Sequence, residues 1–223
     1  MYETMGVLFM PELYKLILAG PLILFSLVVH EFAHGYTSVK LGDPTPRWQG
    51  RLTLNPLAHL DPLGTLMLIL TIIRGVGFGW AKPVQINPTY YKNPLRGSML
   101  VACAGPLSNL MLALFFALLF RPLNFFWGQV AFNPKFFQLL FNFLYIGFSI
   151  NLSLAFFNLI PIPPLDGSRI VSYFLRGRAA EIYIQLEQYG FLLLFSFLLL
   201  FRNYLNYYLS TLINNLFFII ARV

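Results

Sequence analysis

The chain has 223 residues, of which 58% are hydrophobic, 17% aromatic and only 10% charged, with a formal net charge of +7. Soluble domains carry about a quarter of charged residues, so an ordinary water-soluble fold is excluded, and no polar stretch is long enough for a separate soluble unit. The composition implies a single integral-membrane domain over residues 1–223.

The opening residues, MYETMGVLFMPELYK, are acidic where a secretory leader would be basic, so the first helix is expected to stay in the protein. An apolar segment from Leu13 to Val39 follows, interrupted by Lys15 and by HEFAH at residues 30–34, and it ends at Lys40-Leu41-Gly42-Asp43-Pro44. In the polar loop beyond, WQGRLTLNP alternates large apolar and polar residues from Trp48 to Leu54, as a short strand or a surface loop would, and KPVQINP at 82–88 is a second candidate strand. Between them, Leu63 to Trp80 has about ten apolar residues before Arg74 and three glycines after it, which is short for a crossing and suits a re-entrant or surface segment. Helices are predicted from Ser98 to Phe120, Phe136 to Ile160, Ile182 to Phe201 and Tyr204 to Ala221. The fold class is therefore an all-α polytopic membrane protein with about five or six transmembrane or re-entrant helices and a small β element at the membrane surface. No internal repeat or low-complexity linker is present.

The basic residues are placed asymmetrically. Lys40, Arg47, Arg51, Lys82, Lys92, Arg96, Arg169, Arg176 and Arg178 follow the first helix, precede the second long one or follow the third, whereas Arg121 and Lys135 flank the remaining loop. Positive charge collects on the cytoplasmic side of membrane proteins, which places the first group there and implies a multi-pass protein of the cell membrane. A nucleic-acid partner would need a soluble basic face, and none is present.

HEFAH sets His30 and His34 one helical turn apart on one face, with Glu31 beside them. Neighbouring helices could satisfy a lone histidine, but an ionisable residue inside a bilayer segment costs at least about 2.5 kcal/mol, and three in five positions need a shared reason. A zinc ion supplies one, since imidazoles ligate it and a carboxylate beside it can handle protons. Catalytic zinc usually takes three protein ligands, and the candidates for the third are Asp43, His59, Asp61, Asp166, Glu181 and Glu187. Asp166 is distinguished by its setting, NLIPIPPLDGSR, with the permissive Gly167 directly after it. Pro161, Pro163 and Pro164 must unwind the preceding helix, and irregular backbone at membrane depth is tolerated where it is buried or lines a wet cavity. A plain Pro-x-Asp-Gly turn is the bland alternative.

These paired motifs, with GWAKPVQINP and AGPLSN, resemble the site-2 protease family of intramembrane zinc metalloproteases, in its compact microbial form, over roughly Pro21 to Arg169. The resemblance implies that His30, His34 and Asp166 bind one Zn2+, that Glu31 is the catalytic acid/base, and that Asn158 assists at the substrate carbonyl or oxyanion. It further implies transmembrane proteins as substrates, cut within or near their spans, in regulated intramembrane proteolysis. An unwound substrate backbone could pair with an edge at Gly50 to Leu54. An even number of crossings between the motifs, the helices from Ser98 and Phe136, brings Asp166 to the cytoplasmic end of the first helix. A membrane metal transporter and an inactive protease-like binding module are the rival readings, and neither requires Glu31 beside the first histidine. Outside the motifs, His59 and Asp61 read as turn or cap residues, Asn109 as an interhelical hydrogen bonder with Ala104 and Gly105 permitting close approach, Cys103 as a small packing residue, and Tyr204, Tyr207 and Tyr208 as an interfacial belt.

Overall fold

The computed structural model describes residues 12–74, 81–127 and 134–221. Among these, eight helices run in chain order: α1 (Glu12–Lys40), the single turn α2 (Thr45–Trp48), α3 (Pro62–Arg74), α4 (Pro94–Trp127), α5 (Pro134–Asn158), α6 (Asp166–Phe174), α7 (Arg178–Glu187) and α8 (Gly190–Ala221). Short 3-10 turns at Pro56–His59 and Pro88–Tyr90 precede α3 and α4. Four segments, Ile17–Lys40, Pro94–Leu123, Pro134–Asn158 and Gly190–Ala221, hold 24 to 32 residues of high hydropathy. At 1.5 Å per residue each exceeds the roughly 30 Å hydrocarbon core, so the chain is a multi-pass membrane protein. The 13 residues of α3 extend only about 20 Å and fall short of a crossing; the glycine-rich remainder of that expected segment, 75–80, lies outside the described residues.

Two expectations are corrected. No strand forms among the described residues. Thr45–Trp48 coils into a helical turn, and Trp48 is 72% exposed, so the alternation beginning there does not mark a buried face. Residues 81–87 are extended but have no strand alongside: the N–H groups of Lys82, Val84 and Asn87 go to the His59 carbonyl, the Glu31 carboxylate and the Asp43 carboxylate. Period-two patterning specifies an extended chain, whereas a ladder also needs a neighbour. The second correction concerns the C-terminal segments. Ile182 opens no crossing helix but belongs to α7, and the chain from Gly190 to Ala221 is one helix of 32 residues. Arg202 and Asn203 are polar yet helix-compatible, and no glycine or proline follows Gly190 in α8 to stop it. Tyr204, Tyr207 and Tyr208 therefore sit exposed in mid-helix.

The core lies where α4, α5 and α8 meet. Phe116, Ala117 and Phe120 of α4 pack with Leu144, Phe148 and Leu152 of α5 and Phe217 of α8. Phe217 stacks at tilted angles 5.2 Å from both Phe120 and Phe148. Gly147 admits the Phe116 ring, since a Cβ there would lie 2.7 Å from it. This aromatic knot joins α4, α5 and α8, while α1, α4 and α6 enclose a polar cluster nearer the end of α1.

Candidate metal centre

The histidines ride on α1, which stays helical to Lys40 beyond its internal Pro21 and holds residues 30 and 34 on one face. Asp166 arrives differently. After Asn158 the chain leaves the helix, because Pro161, Pro163 and Pro164 cannot donate to the ladder, and tight turns close it instead, with Ile162 N–H on the Ile160 carbonyl and Leu165 N–H on Ile162. Asp166 is the first residue of α6, not part of the irregular stretch itself. Gly167 makes that possible: a Cβ there would collide with the Leu159 and Ile160 carbonyls.

The three side chains converge. His30 Nε2 and His34 Nε2 lie 3.0 Å apart, and Asp166 Oδ2 lies 3.2 Å from the first and 3.3 Å from the second. Tetrahedral ligands at zinc distances of about 2.0–2.1 Å would stand roughly 3.3–3.4 Å apart, so the triangle fits such an ion. The donor set agrees. His30 Nδ1 faces Asn109 Oδ1 at 2.6 Å and His34 Nδ1 faces the Val101 carbonyl at 2.7 Å; both partners accept, so both Nδ1 atoms carry the proton. The two Nε2 lone pairs then point at a carboxylate oxygen that is buried and receives no donor. Three bare acceptors at this spacing repel one another unless a cation joins them. A metal ion would supply that cation. Gly105 of α4 forms the wall of this site, for a Cβ at that position would fall on both Nε2 atoms. Among the described residues no other three His, Cys, Asp or Glu groups converge in this way.

Glu31 is half-buried on the adjoining face, and its Oε2 accepts the Val84 N–H at 2.8 Å. Asn158, the last residue of α5, turns its side-chain amide back to the Leu154 carbonyl at 2.9 Å and makes no hydrogen bond to the cluster. The other ligand candidates lie elsewhere. Asp43 is saturated by neutral donors, Asp61 accepts the Gly64 N–H at the start of α3, and buried His59 bonds the Thr53 carbonyl through Nε2. Cys103 is a free, partly exposed thiol. Reading the sequence missed the groups that bond the site residues, Val84, Val101 and the His30 contact of Asn109. Only AGPLSN, with a glycine and an asparagine four residues apart, carried a signal of one face turned to a polar neighbour.

The fold and cluster define a polytopic membrane protein with a two-histidine, one-aspartate group that could hold a metal ion. The profile of Peptidase family M50 matches residues 128–201. YwhC of Bacillus subtilis is 40% identical over 188 residues, covering 83% of this chain and 80% of that protein. Rip2 of Mycobacterium tuberculosis is 30% identical over 197 residues, 86% and 70% respectively, and MJ0611 of Methanocaldococcus jannaschii is 35% identical over 108 residues, 48% and 50%. All three are named putative zinc metalloproteases. No solved structure is significantly similar to the chain. The chain belongs to peptidase family M50, the site-2 protease family, and is a zinc metalloprotease.

Proposed function

We propose that the protein is an intramembrane endopeptidase, hydrolysing peptide bonds within or near transmembrane segments of membrane proteins in regulated intramembrane proteolysis, with His30, His34 and Asp166 holding the zinc. The supporting observation is depth. His30 lies ten residues, roughly 15 Å, from the Lys40 end of a crossing helix, about half the thickness of a hydrocarbon core. The basic residues at that end of α1 favour a cytoplasmic orientation of the site. The lipid bilayer is thus both solvent and source of substrate.

When bound, zinc supplies Lewis acidity, polarising a carbonyl and acidifying water. The protein's own groups do the rest. Glu31 has one oxygen on the Val84 N–H and the other free; it takes the proton of the attacking water and passes it to the nitrogen of the breaking C–N bond. Asn158 has two amide hydrogens, and Leu154 engages one; the second is available to the carbonyl oxygen as charge develops there. A substrate helix hides its carbonyls in its own hydrogen bonds, so it must unwind locally before any of this can occur.

Co-expression with single-span membrane proteins, wild type against Glu31→Gln, tests the reading. The wild type should release a fragment cut inside the span and the variant should not, with zinc content equal in both. Equal cleavage by the variant would remove Glu31 from the mechanism, and cleavage confined to soluble loops would remove the intramembrane substrate.

A further inference from the structure

A buried line of amides crosses three helices behind the metal cluster. Asn151 of α5 donates through Nδ2 to the Gly147 carbonyl at 2.8 Å. Its Oδ1 accepts from Asn109 Nδ2 of α4 at 2.9 Å, and that same Nδ2 lies 3.3 Å from the Ser26 carbonyl of α1. Asn109 Oδ1 then accepts from His30 Nδ1 at 2.6 Å. Asn109, Asn151 and Ser26 are all fully buried.

The direction of this line is forced. A backbone carbonyl only accepts, so Gly147 turns the NH2 of Asn151 towards itself and the oxygen towards Asn109. That oxygen, with the Ser26 carbonyl, turns the NH2 of Asn109 away from His30 and its oxygen towards the ring. An oxygen there demands a proton on His30 Nδ1, which leaves Nε2 bare and aimed at Asp166. Flipping either amide would set oxygen against carbonyl oxygen, a loss that is costly where water is absent.

We propose that Asn151, which contacts neither the ligands nor the reacting atoms, is a positioning residue that sets the His30 tautomer through Asn109. Three helices thereby fix which ring nitrogen of His30 is free for the metal. This rests on His30 being a zinc ligand, as proposed above.

Zinc dissociation constants by chelator competition and 15N spectra of the histidines in the zinc-free protein test it. His30 should carry its proton on Nδ1 in the wild type. Asn109→Leu should weaken zinc by 10- to 100-fold, the usual range for lost partners of ligating histidines, and Asn151→Leu by about tenfold, with a mixture of His30 tautomers. Asn151→Asp should stay within about twofold of wild type: a buried acid remains protonated, so its hydroxyl donates to Gly147 while its carbonyl accepts from Asn109. If His30→Ala weakens zinc but Asn151→Leu changes neither affinity nor tautomer, the amide line is overturned while the ligand assignment stands. If His30→Ala binds zinc like wild type, the ligand assignment itself fails. Should Asn151→Leu not fold, the wild-type spectrum decides alone, since a His30 whose Nδ1 carries no proton would overturn the proposal.

Discussion

Asp43 and Asp166 are both shielded from solvent, and both follow the end of a membrane-crossing helix. They differ in what surrounds the oxygens. Asp43 Oδ1 accepts the Thr45 N–H at 2.9 Å, and Oδ2 accepts the Ser38 hydroxyl at 2.7 Å and the Asn87 N–H at 2.8 Å; Tyr91 completes the set by donating to Ser38 at 2.6 Å. Its charge is spent on tying the end of α1 to α2 and to the extended stretch 81–87. Asp166 Oδ2 has no donor and faces two imidazole lone pairs. Saturation separates the two carboxylates. A closed shell of donors makes an aspartate a fastener, and an open one leaves it available to a metal.

The largest effect that sharpens the contrast is a crossed pair of alanine variants. Asp166→Ala should lose zinc and drop cleavage to background while thermal stability in zinc-free detergent stays near wild type, because two histidines rarely hold a catalytic metal alone. Asp43→Ala should do the reverse, keeping zinc per folded molecule and losing about 1–3 kcal/mol of stability as three donors go unpaired. Metal analysis and unfolding curves on both variants measure this. A zinc-replete Asp166→Ala protein, or a zinc-free but stable Asp43→Ala protein, would erase the distinction.

A smaller effect tests whether the fastener serves the site. Asp43 pins Asn87, and three residues earlier Val84 N–H reaches Glu31, so the stretch linking them is tied to both carboxylates. Val84→Pro removes that N–H and should lower the turnover rate about tenfold, the worth of one hydrogen bond to a charged group, with zinc content unchanged. Val84→Ala keeps the N–H but loses the methyl that closes over Gly35, where a Cβ would lie 3.3 Å from Val84 Cγ1, and should cost stability more than rate. Rates that fall equally in both variants would mean that packing, not the hydrogen bond, is what Glu31 needs.

The candidate residues of α1 stand out in the sequence for a physical reason: burying His30, Glu31 and His34 in an apolar helix is expensive, and expense is visible in composition alone. The Pro161 to Pro164 break is equally plain, since proline writes its effect on the backbone locally. Asp166 lies two residues past that break, at a helix start, and Gly167 serves there by its closeness to the carbonyls of residues 159 and 160 rather than by turn freedom. What stays hidden is tertiary. Nothing near Val101 announces that its carbonyl orients His34, and nothing near Val84 announces Glu31, because backbone groups carry no residue identity. The expected β element fails for a related reason, as alternation in 48–54 and 82–88 says nothing about which partners receive the N–H groups. Asn109 reads as an interhelical bonder, which it is, but its partner and direction emerge only when α1, α4 and α5 are placed together.

The smallest expected effect concerns charge rather than shape at Asp43. Burial opposes its ionisation, yet the hydrogen bonds from Thr45, Asn87 and Ser38 outweigh burial, so the folded pKa lies below the ordinary aspartate value of about 3.9. The fold therefore prefers the carboxylate. The stability this contributes is fully present above about pH 4 and is lost as pH falls through the lower folded value, since the unfolded chain then binds the proton first. Asp43→Asn keeps the shape and removes the titration. Measured in an Asp166→Ala background, where no zinc can leave as pH falls, the stability gap between the protein with Asp43 and its Asp43→Asn variant should be on the order of 1 kcal/mol at neutral pH and should close below about pH 4. Other carboxylates titrate in both proteins and cancel in the difference. A gap that stays constant down to about pH 3, well into the range where the unfolded carboxyl is protonated, would mean that Asp43 fastens the loops by its size and geometry alone, and that its charge has no part in the fold.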